Sequence, residues 1–311
     1  MFEKSEMLYL YVETPLHAGS GSSVGVIDLP IQRERVTGYP LVQSSGVKGK
    51  LRAEAREALK NKEETDIDEK IALVFGPESD SAQEHAGALS PGDARLLLFP
   101  VRSLVGVFAW TTSRNVLARF KRDLEAAGKK VDWDLTNLPD NGNAWTVDQI
   151  SAVAGGKVVL EEFAFTAATH ADVKIISDWI AENVFPGSAE YTYFQEKVRT
   201  NLVILPEDAF RDFAQFATEV ITRIKIDQET KTVARGALWT EEHLPSDTVL
   251  YSPLHTTRPR KIKENKIRTL QSAGDVLQFV RDLGLERIQL GGDETVGRGI
   301  VRLNLSGGNE L

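Results

Sequence analysis

The sequence predicts an α+β fold of ferredoxin-like order carrying large insertions. Residues 7–62 and 94–128 each read as a strand followed by a helix, and the C-terminal part returns helix then strand. The apolar run over 94–112 folds back at Arg102-Ser103. That connection is too short for a parallel crossover, so antiparallel neighbours are expected rather than the alternative, a doubly wound sheet.

Each element has a local cause. "MLYLYVETPLH" (7–17) alternates Tyr, Leu and Val as a strand does, and the Gly/Ser-rich 17–25 is a loop. Val47, Leu51, Ala55 and Leu59 recur every four residues in an amphipathic helix over 45–62, with Ser44 and Ser45 as cap candidates. Residues 66–93 read as a loop around a short helix. Residues 113–128 form a helix with Ser113 at its N-cap and Gly128 past its end. Segment 129–156 reads as loop, with a turn signal at 138–143, and 157–167 as one strand. Helices follow over 171–185 and 206–220, the latter with Pro206 and two acids in its first turn. Residues 221–242 form a hairpin turning near 227–229. A helix (273–284), a strand, the Gly-rich 291–299 and a last strand (300–305) complete the chain, without internal repeats.

Composition bounds the class. The 311 residues are 41% hydrophobic and 26% charged, ordinary for a soluble globular protein. Without cysteine, disulfides, thiolate zinc sites and Cys nucleophiles are excluded, which fits a reducing compartment. The N-terminal stretch is too acidic for a signal peptide, and Pro100 and Arg102 interrupt the longest apolar run. A soluble, cytoplasmic chain without membrane contact is expected. A net charge of −8 argues against nonspecific DNA coating. The tract 253–268 nevertheless sets Arg258, Arg260, Lys261, Lys263, Lys266 and Arg268 against Glu264 alone: a polyanion contact or a solvated loop.

Several residue sets carry possible chemistry. Lys48, Arg52, Arg56 and Lys60 fall every four residues, about 40° apart around the helix, and so lie near one line. With "QSSGVKGK" leaving N–H groups open, that end is a phosphate seat or else a plain solvated face. "GGDETVGRG" lacks the ending of a P-loop and the G-x-G-x-x-G spacing. It offers backbone approach to a phosphate, with Thr295 and Arg298 as donors, or a tight turn. The five histidines show no metal-binding spacing; His17 is an acid–base candidate or a histidine satisfied by backbone. Trp239 and Leu244 flank Glu241, Glu242 and His243, either as a wedge between bases or as strand burial. Asp28, alone in "GVIDLPIQRERVTGYP", is a turn residue or a carboxylate kept for chemistry.

Taken in order, "LHAGSG…GVIDLPIQRE…GYPLVQSSGVKGKLR", "DARLLLFPVRSLVGVFAWTTS", "TRIKID…GALWTEEHLP" and "GGDETVGRG" resemble the RAMP-superfamily backbone subunit of type III-B CRISPR effector complexes, from about residue 8 to 303. One departure is Gln43, where many relatives have Gly before the serines. The resemblance implies a single RRM-like RAMP domain. Its palm core covers about 7–128 and 270–305, and an inserted region covers about 129–270 with a β-hairpin thumb at about 221–250. It further implies copies stacked along a CRISPR RNA, beside other RAMP subunits and the small subunit, each thumb splaying the guide–target duplex. Cleavage of the single-stranded target RNA would depend on a divalent metal, Mg2+ or Mn2+. The family's catalytic aspartate maps to Asp28, also the expected metal ligand, its histidine to His17, and its acidic thumb residues to Glu241 and Glu242. Guide contacts map to Ser44, Ser45, Lys48 and Arg52, with Gly291, Gly292 and Arg298 near the RNA and Trp239 and Leu244 as the wedge. Arg33 and Arg35 become phosphate candidates. The alternative within the same complex is a scaffold that cuts nothing.

Overall fold

A computed structural model of the chain describes residues 2–78, 80, 85–136, 142–148, 150, 152–260, 267 and 269–306. The first half holds β1 (Lys4–Val12), β2 (Leu41–Val42), α1 (Ser44–Asn61), α2 (Ile67–Phe75), β3 (Leu89–Pro91), β4 (Ala94–Arg102), β5 (Phe108–Ser113) and α3 (Arg114–Ala126). The middle holds β6 (Asn143–Thr146), β7 (Val153–Ala154), β8 (Lys157–Leu160), β9 (Phe163–Thr169), α4 (Ala171–Asn183), α5 (Thr192–Asn201), β10 (Leu202–Leu205) and α6 (Glu207–Phe216). Then follow β11 (Glu219–Ile226), β12 (Val233–His243), β13 (Val249–Thr256), α7 (Ala273–Asp282), β14 (Arg287–Gln289) and β15 (Ile300–Leu305).

The expected ferredoxin-like order is present. β15, β1, β13 and β4 lie side by side, every neighbouring pair antiparallel. α1 connects β1 to β4 through β2, and α7 connects β13 to β15, giving strand–helix–strand twice around a shared sheet. Val47, Leu51, Ala55 and Leu59 are the buried residues of α1, as their spacing requires. Ser113 caps α3 by accepting from the Val116 amide (3.4 Å), and Gly128 adopts φ +81° beyond its end.

The inserted region differs from expectation. β13 falls within 129–270, yet it pairs with β1 and β4 in the middle of the palm. Pro253 hid this strand, since proline is rare away from sheet edges; here its carbonyl accepts the Gly92 N–H at 2.7 Å. β10 is likewise unforeseen: "LVIL" is buried throughout and shows no alternation, yet it extends the sheet parallel to β5. The strand expected over 157–167 is two strands, β8 and β9, folded back at Glu161 (φ +48°). The turn at 138–143 lies mostly outside the described residues, as do Lys261, Lys263, Glu264, Lys266 and Arg268.

The hairpin is β11 and β12, a separate two-stranded sheet. Its turn spans 227–232, wider than expected. Asp227 accepts the amides of Glu229 (3.0 Å) and Thr230 (2.8 Å), an Asp-headed turn.

Candidate functional site

The base of the hairpin sorts two loops onto opposite faces of β12. Successive side chains of a strand alternate, so Thr240 and Glu242 share one face while Trp239, Glu241 and His243 share the other. On the first face sits the loop containing Asp28. It adds to the edge of β12 in parallel: the Leu29 amide donates to the Thr240 carbonyl (3.0 Å), and the Glu242 amide donates to the Leu29 carbonyl (3.0 Å). Asp28 Oδ2 accepts from the Thr240 amide (2.8 Å) and hydroxyl (2.9 Å), and the Asp28 amide donates back to that hydroxyl (3.0 Å). These donors hold the exposed Asp28 carboxyl below its usual range, so it is ionised at neutral pH. Oδ1 has no hydrogen-bond partner among the described residues. The sequence left two roles open for Asp28, and the geometry has room for both: Oδ2 clips the loop to the hairpin, and Oδ1 is left open.

Glu242 is a clamp. Its buried carboxylate accepts from the Ile31 amide (3.0 Å), the Thr218 hydroxyl (2.7 Å) and the Arg33 guanidinium (2.5 Å). Arg33 spends its other N–H groups on the carbonyls of Gly38 (2.8 Å), Ala214 (2.9 Å) and Gln215 (3.2 Å). Two expectations meet competing contacts here: the Glu242 carboxylate is buried and engaged by Ile31, Thr218 and Arg33, and the Arg33 guanidinium is engaged by Glu242 and three carbonyls. Arg35 stays exposed.

On the opposite face, Glu241 is buried beneath the Gly-rich loop. It accepts from Trp239 Nε1 (2.8 Å) and Arg223 Nη1 (3.2 Å); Arg223 also lies 3.5 Å from Asp293 Oδ2. Asp293 starts a short 3₁₀ turn at φ +61° and meets His243 Nε2 at 3.4 Å. Burial opposes the Asp293 charge, but contact with Glu241, Arg223 and His243 outweighs it and holds the carboxyl low. Burial pushes the enclosed His243 ring below its ordinary value, with Asp293 partly opposing this, and its Nδ1 has no partner. Glu241, His243 and Asp293 bring ligand-type atoms within 4.8 Å of one another. Arg223 already supplies the cation to both carboxylates, so this cluster acts as a latch between hairpin and loop. Asp28 suits a hard divalent ion differently. Its one open carboxylate oxygen is a hard ligand of the kind that could hold Mg2+ or Mn2+.

His17 lies at the junction of the two loops. Its Nδ1 is 2.7 Å from the Glu242 carbonyl. A carbonyl only accepts, so Nδ1 carries a proton and donates it to Glu242, leaving Nε2 as the ring nitrogen turned to other partners. The His17 carbonyl accepts the Gly292 amide (2.9 Å). Gly291 beside it has φ +75°, and a Cβ there would fall 2.2 Å from that carbonyl oxygen, so glycine is required. His17, Gly291, Gly292, Gln32, Gly46 and Lys50 line an open cleft of about 580 Å³ against α1.

Along α1 the basic stripe is largely spent. The N-cap is Gln43 without a side-chain cap, so Ser44 and Ser45 belong to the first turn, and the Ser44 amide donates to Asp93 (2.8 Å). Arg52 donates to the carbonyls of Gly76 (2.8 Å) and Pro77 (3.2 Å) and pairs with Glu78 (2.9 Å), so in this state it braces α2. Arg56 pairs with Asp68 and Glu78, and Lys60 with Glu57. Lys48 has no carboxylate partner among the described residues; burial and then the Arg52 charge lower its pKa. Arg298 lies 3.9 Å from Glu219.

Leu244 cannot serve as a wedge. It is 0% exposed and exchanges two backbone hydrogen bonds with Leu16 (2.9 Å each). Two facing pairs of the hairpin are apolar and exposed, Ile224 opposite Leu238 and Ile226 opposite Val233; Leu238 lies on the face of Thr240. Sequence reading missed Leu238, Thr240, Arg223, His243 and Asp293. Period-2 alternation along 238–243 was the one signal able to flag Leu238, Thr240 and His243.

The profile of the RAMP superfamily matches residues 9–302. The chain is 42% identical to the CRISPR system Cmr endoribonuclease Cmr4 of Pyrococcus furiosus over 306 residues, which are 97% of this chain and 96% of that protein. It is 27% identical to the CRISPR system CMR subunit Cmr4 of Saccharolobus solfataricus, over 95% and 94% of the two chains. Oligomeric Cmr4 from Pyrococcus furiosus superimposes with a TM-score of 0.70 at 33% identity, over 97% of this chain and 98% of that one. The type III-B Cmr-beta complex bound to cognate target RNA holds a chain of the same fold (TM-score 0.71, 24% identity, 98% of each chain covered). With its family profile matched nearly end to end and its strand order, hairpin and Gly-rich loop in place, this chain belongs to the RAMP superfamily.

Proposed function

We propose that this chain is the backbone subunit of a type III-B CRISPR effector complex, stacking in several copies along a CRISPR RNA and cutting complementary target RNA as an endoribonuclease. The observation that carries the cutting role is Asp28, an ionised, exposed carboxylate with one oxygen engaged and one open, at the root of a hairpin. The 42% identity to a protein named an endoribonuclease supports it.

The chemistry follows from the positions. Attack by a 2′-hydroxyl on its neighbouring phosphate needs an in-line backbone, a proton acceptor and charge relief at the leaving oxygen. Ile224 and Leu238, exposed on the hairpin face that carries Thr240, displace a base and bend the backbone toward that line. His17, whose Nδ1 faces the Glu242 carbonyl, turns Nε2 to the hydroxyl and takes its proton. Asp28, ionised and with no proton to donate, would act on the scissile phosphate through a bound cation rather than directly. Asp28 is the residue that would hold a divalent cation, which when bound would supply the charge relief. Lys48 on α1 and the backbone of Gly291 and Gly292 hold the guide. The assembly includes other RAMP subunits and the small subunit, and works in the cytoplasm; among the described residues no helix is long and apolar enough to cross a membrane.

The non-cutting scaffold is favoured by one observation, the clip from Asp28 to Thr240, which gives Asp28 a structural task of its own. An assembled complex carrying Asp28→Ala, supplied with complementary RNA, separates the readings. Lost cutting with intact RNA binding is expected; unchanged cutting would leave the scaffold.

A further inference from the structure

All three polar groups of Thr240 serve the loop that carries Asp28, through four hydrogen bonds. Its amide and hydroxyl donate to Asp28 Oδ2, its hydroxyl oxygen accepts the Asp28 amide, and its carbonyl accepts the Leu29 amide. Apart from the backbone of Asp28 itself, Thr240 is the residue that bonds the Asp28 carboxylate. A carboxylate on an exposed Gly/Ser-flanked loop would otherwise sample many orientations, because neither burial nor an ion pair restrains it. Two donors on one oxygen settle its rotation and leave the same oxygen, Oδ1, open each time.

We propose that Thr240 is a positioning residue for target cleavage, fixing the Asp28 carboxylate to the hairpin strand so that the hairpin and the cleaving group move as one body. The face that carries Thr240 also presents Leu238 and Ile224, two residues further along the strands. Displacement of a base and presentation of Asp28 to the adjacent phosphate are thereby tied together. Cutting then occurs where a hairpin has entered the duplex, and RNA lying loosely in the groove is spared. Glu242 anchors the far side of the same loop through Ile31 and Arg33, but it touches neither Asp28 oxygen. Its contribution is to the loop's place, and Thr240's is to the carboxylate's orientation. The inference rests on the reading of Asp28 as a cleavage residue.

The test uses the assembled complex with guide and complementary RNA, comparing Thr240→Val, Thr240→Ser and Asp28→Ala. Valine keeps the β-branched shape and the backbone amide and removes the hydroxyl; serine restores the hydroxyl. Thr240→Val is expected to slow single-turnover cutting by about tenfold to a hundredfold, the range for a misplaced reacting group, with target affinity changed less than about twofold. Thr240→Ser restores cutting to within about threefold of the parent chain. Hydrogen–deuterium exchange of residues 22–31 rises in the valine variant and not in the serine variant. Wild-type cutting by Thr240→Val, with Asp28→Ala inactive, would overturn the role of Thr240 and spare Asp28. Equal cutting by both would overturn the reading of Asp28 beneath it. A parallel loss of target affinity in Thr240→Val would also overturn the proposal, since it makes Thr240 an RNA contact. If valine hinders assembly, Thr240→Ala is read by the same criteria.

Discussion

Arg33 and Glu242, 209 residues apart, join at 2.5 Å between a loop and the root of the hairpin, and the Glu242 side chain is only 3% exposed. Removing Arg33 leaves a buried carboxylate with two neutral donors, and breaking a buried pair from one side costs several kcal/mol. Because Arg33 is itself 22% exposed, the lower end applies. Arg33→Ala is expected to destabilise by about 3 kcal/mol, or on the order of 4–5 °C in melting temperature. Arg33→Lys should recover little, since one ammonium cannot reach three carbonyls and a carboxylate at once. Thermal melting of the purified chain decides this, and an unshifted Arg33→Ala would refute the clamp.

Lys48 and Arg52 share a stripe on α1 but should fail differently. Lys48 is free of carboxylates among the described residues, so Lys48→Ala is expected to weaken guide RNA binding and flatten its salt dependence by about 0.7 in the log–log slope, one phosphate contact. Arg52 braces the end of α2, so Arg52→Ala should lower the melting temperature first. Binding isotherms at several salt concentrations, paired with melting curves, separate the two. Identical slopes for parent and Lys48→Ala would remove Lys48 from the RNA face.

Periodicity made the palm and hairpin readable, because α1, α3 and the paired strands β4 and β5 carry their partners' positions in local spacing. β13 was hidden by Pro253, and β10 by the absence of alternation in "LVIL". Within the site, Asp28 and His17 stood out through their setting and the resemblance. Thr240 did not, since a threonine in a strand is ordinary and its partner lies 212 residues away. Neither did the pairing of Arg223 with Asp293, nor the loss of Arg52 to Gly76, Pro77 and Glu78. Spacing along α1 shows which cations share a face, but only packing shows which acids reach them.

Gly291 and Gly297 both adopt φ +75°, yet only the first is crowded. Gly297→Ala is expected to cost about 1 kcal/mol of backbone strain and leave cutting intact. In Gly291→Ala a Cβ would collide with the His17 carbonyl, so strain of about 2–3 kcal/mol and displacement of His17 are expected together. Cutting should fall in the complex at temperatures where the variant is still folded. Equal behaviour of the two variants would show that the Gly-rich loop does not hold His17.

Stability should depend on pH through two histidines, the buried His243 and the half-buried His255. Burial lowers the pKa of His243 and of His255, the latter stacked on Phe2, below the ordinary value of 6.5. As pH falls, the unfolded chain takes up these protons first, so between about 6.5 and the lower folded value it binds more protons than the native state. The stabilisation is therefore complete above about pH 6.5 and is lost as pH falls through the folded values. Carboxylates held low, such as Asp28 and Asp293, begin to matter only below about pH 4.5, outside this window. The expected result is a melting temperature that declines from pH 7.5 to 5.5 in the parent chain, and declines less in a variant carrying His243→Gln and His255→Gln. An equal decline in both would assign the pH dependence to other groups.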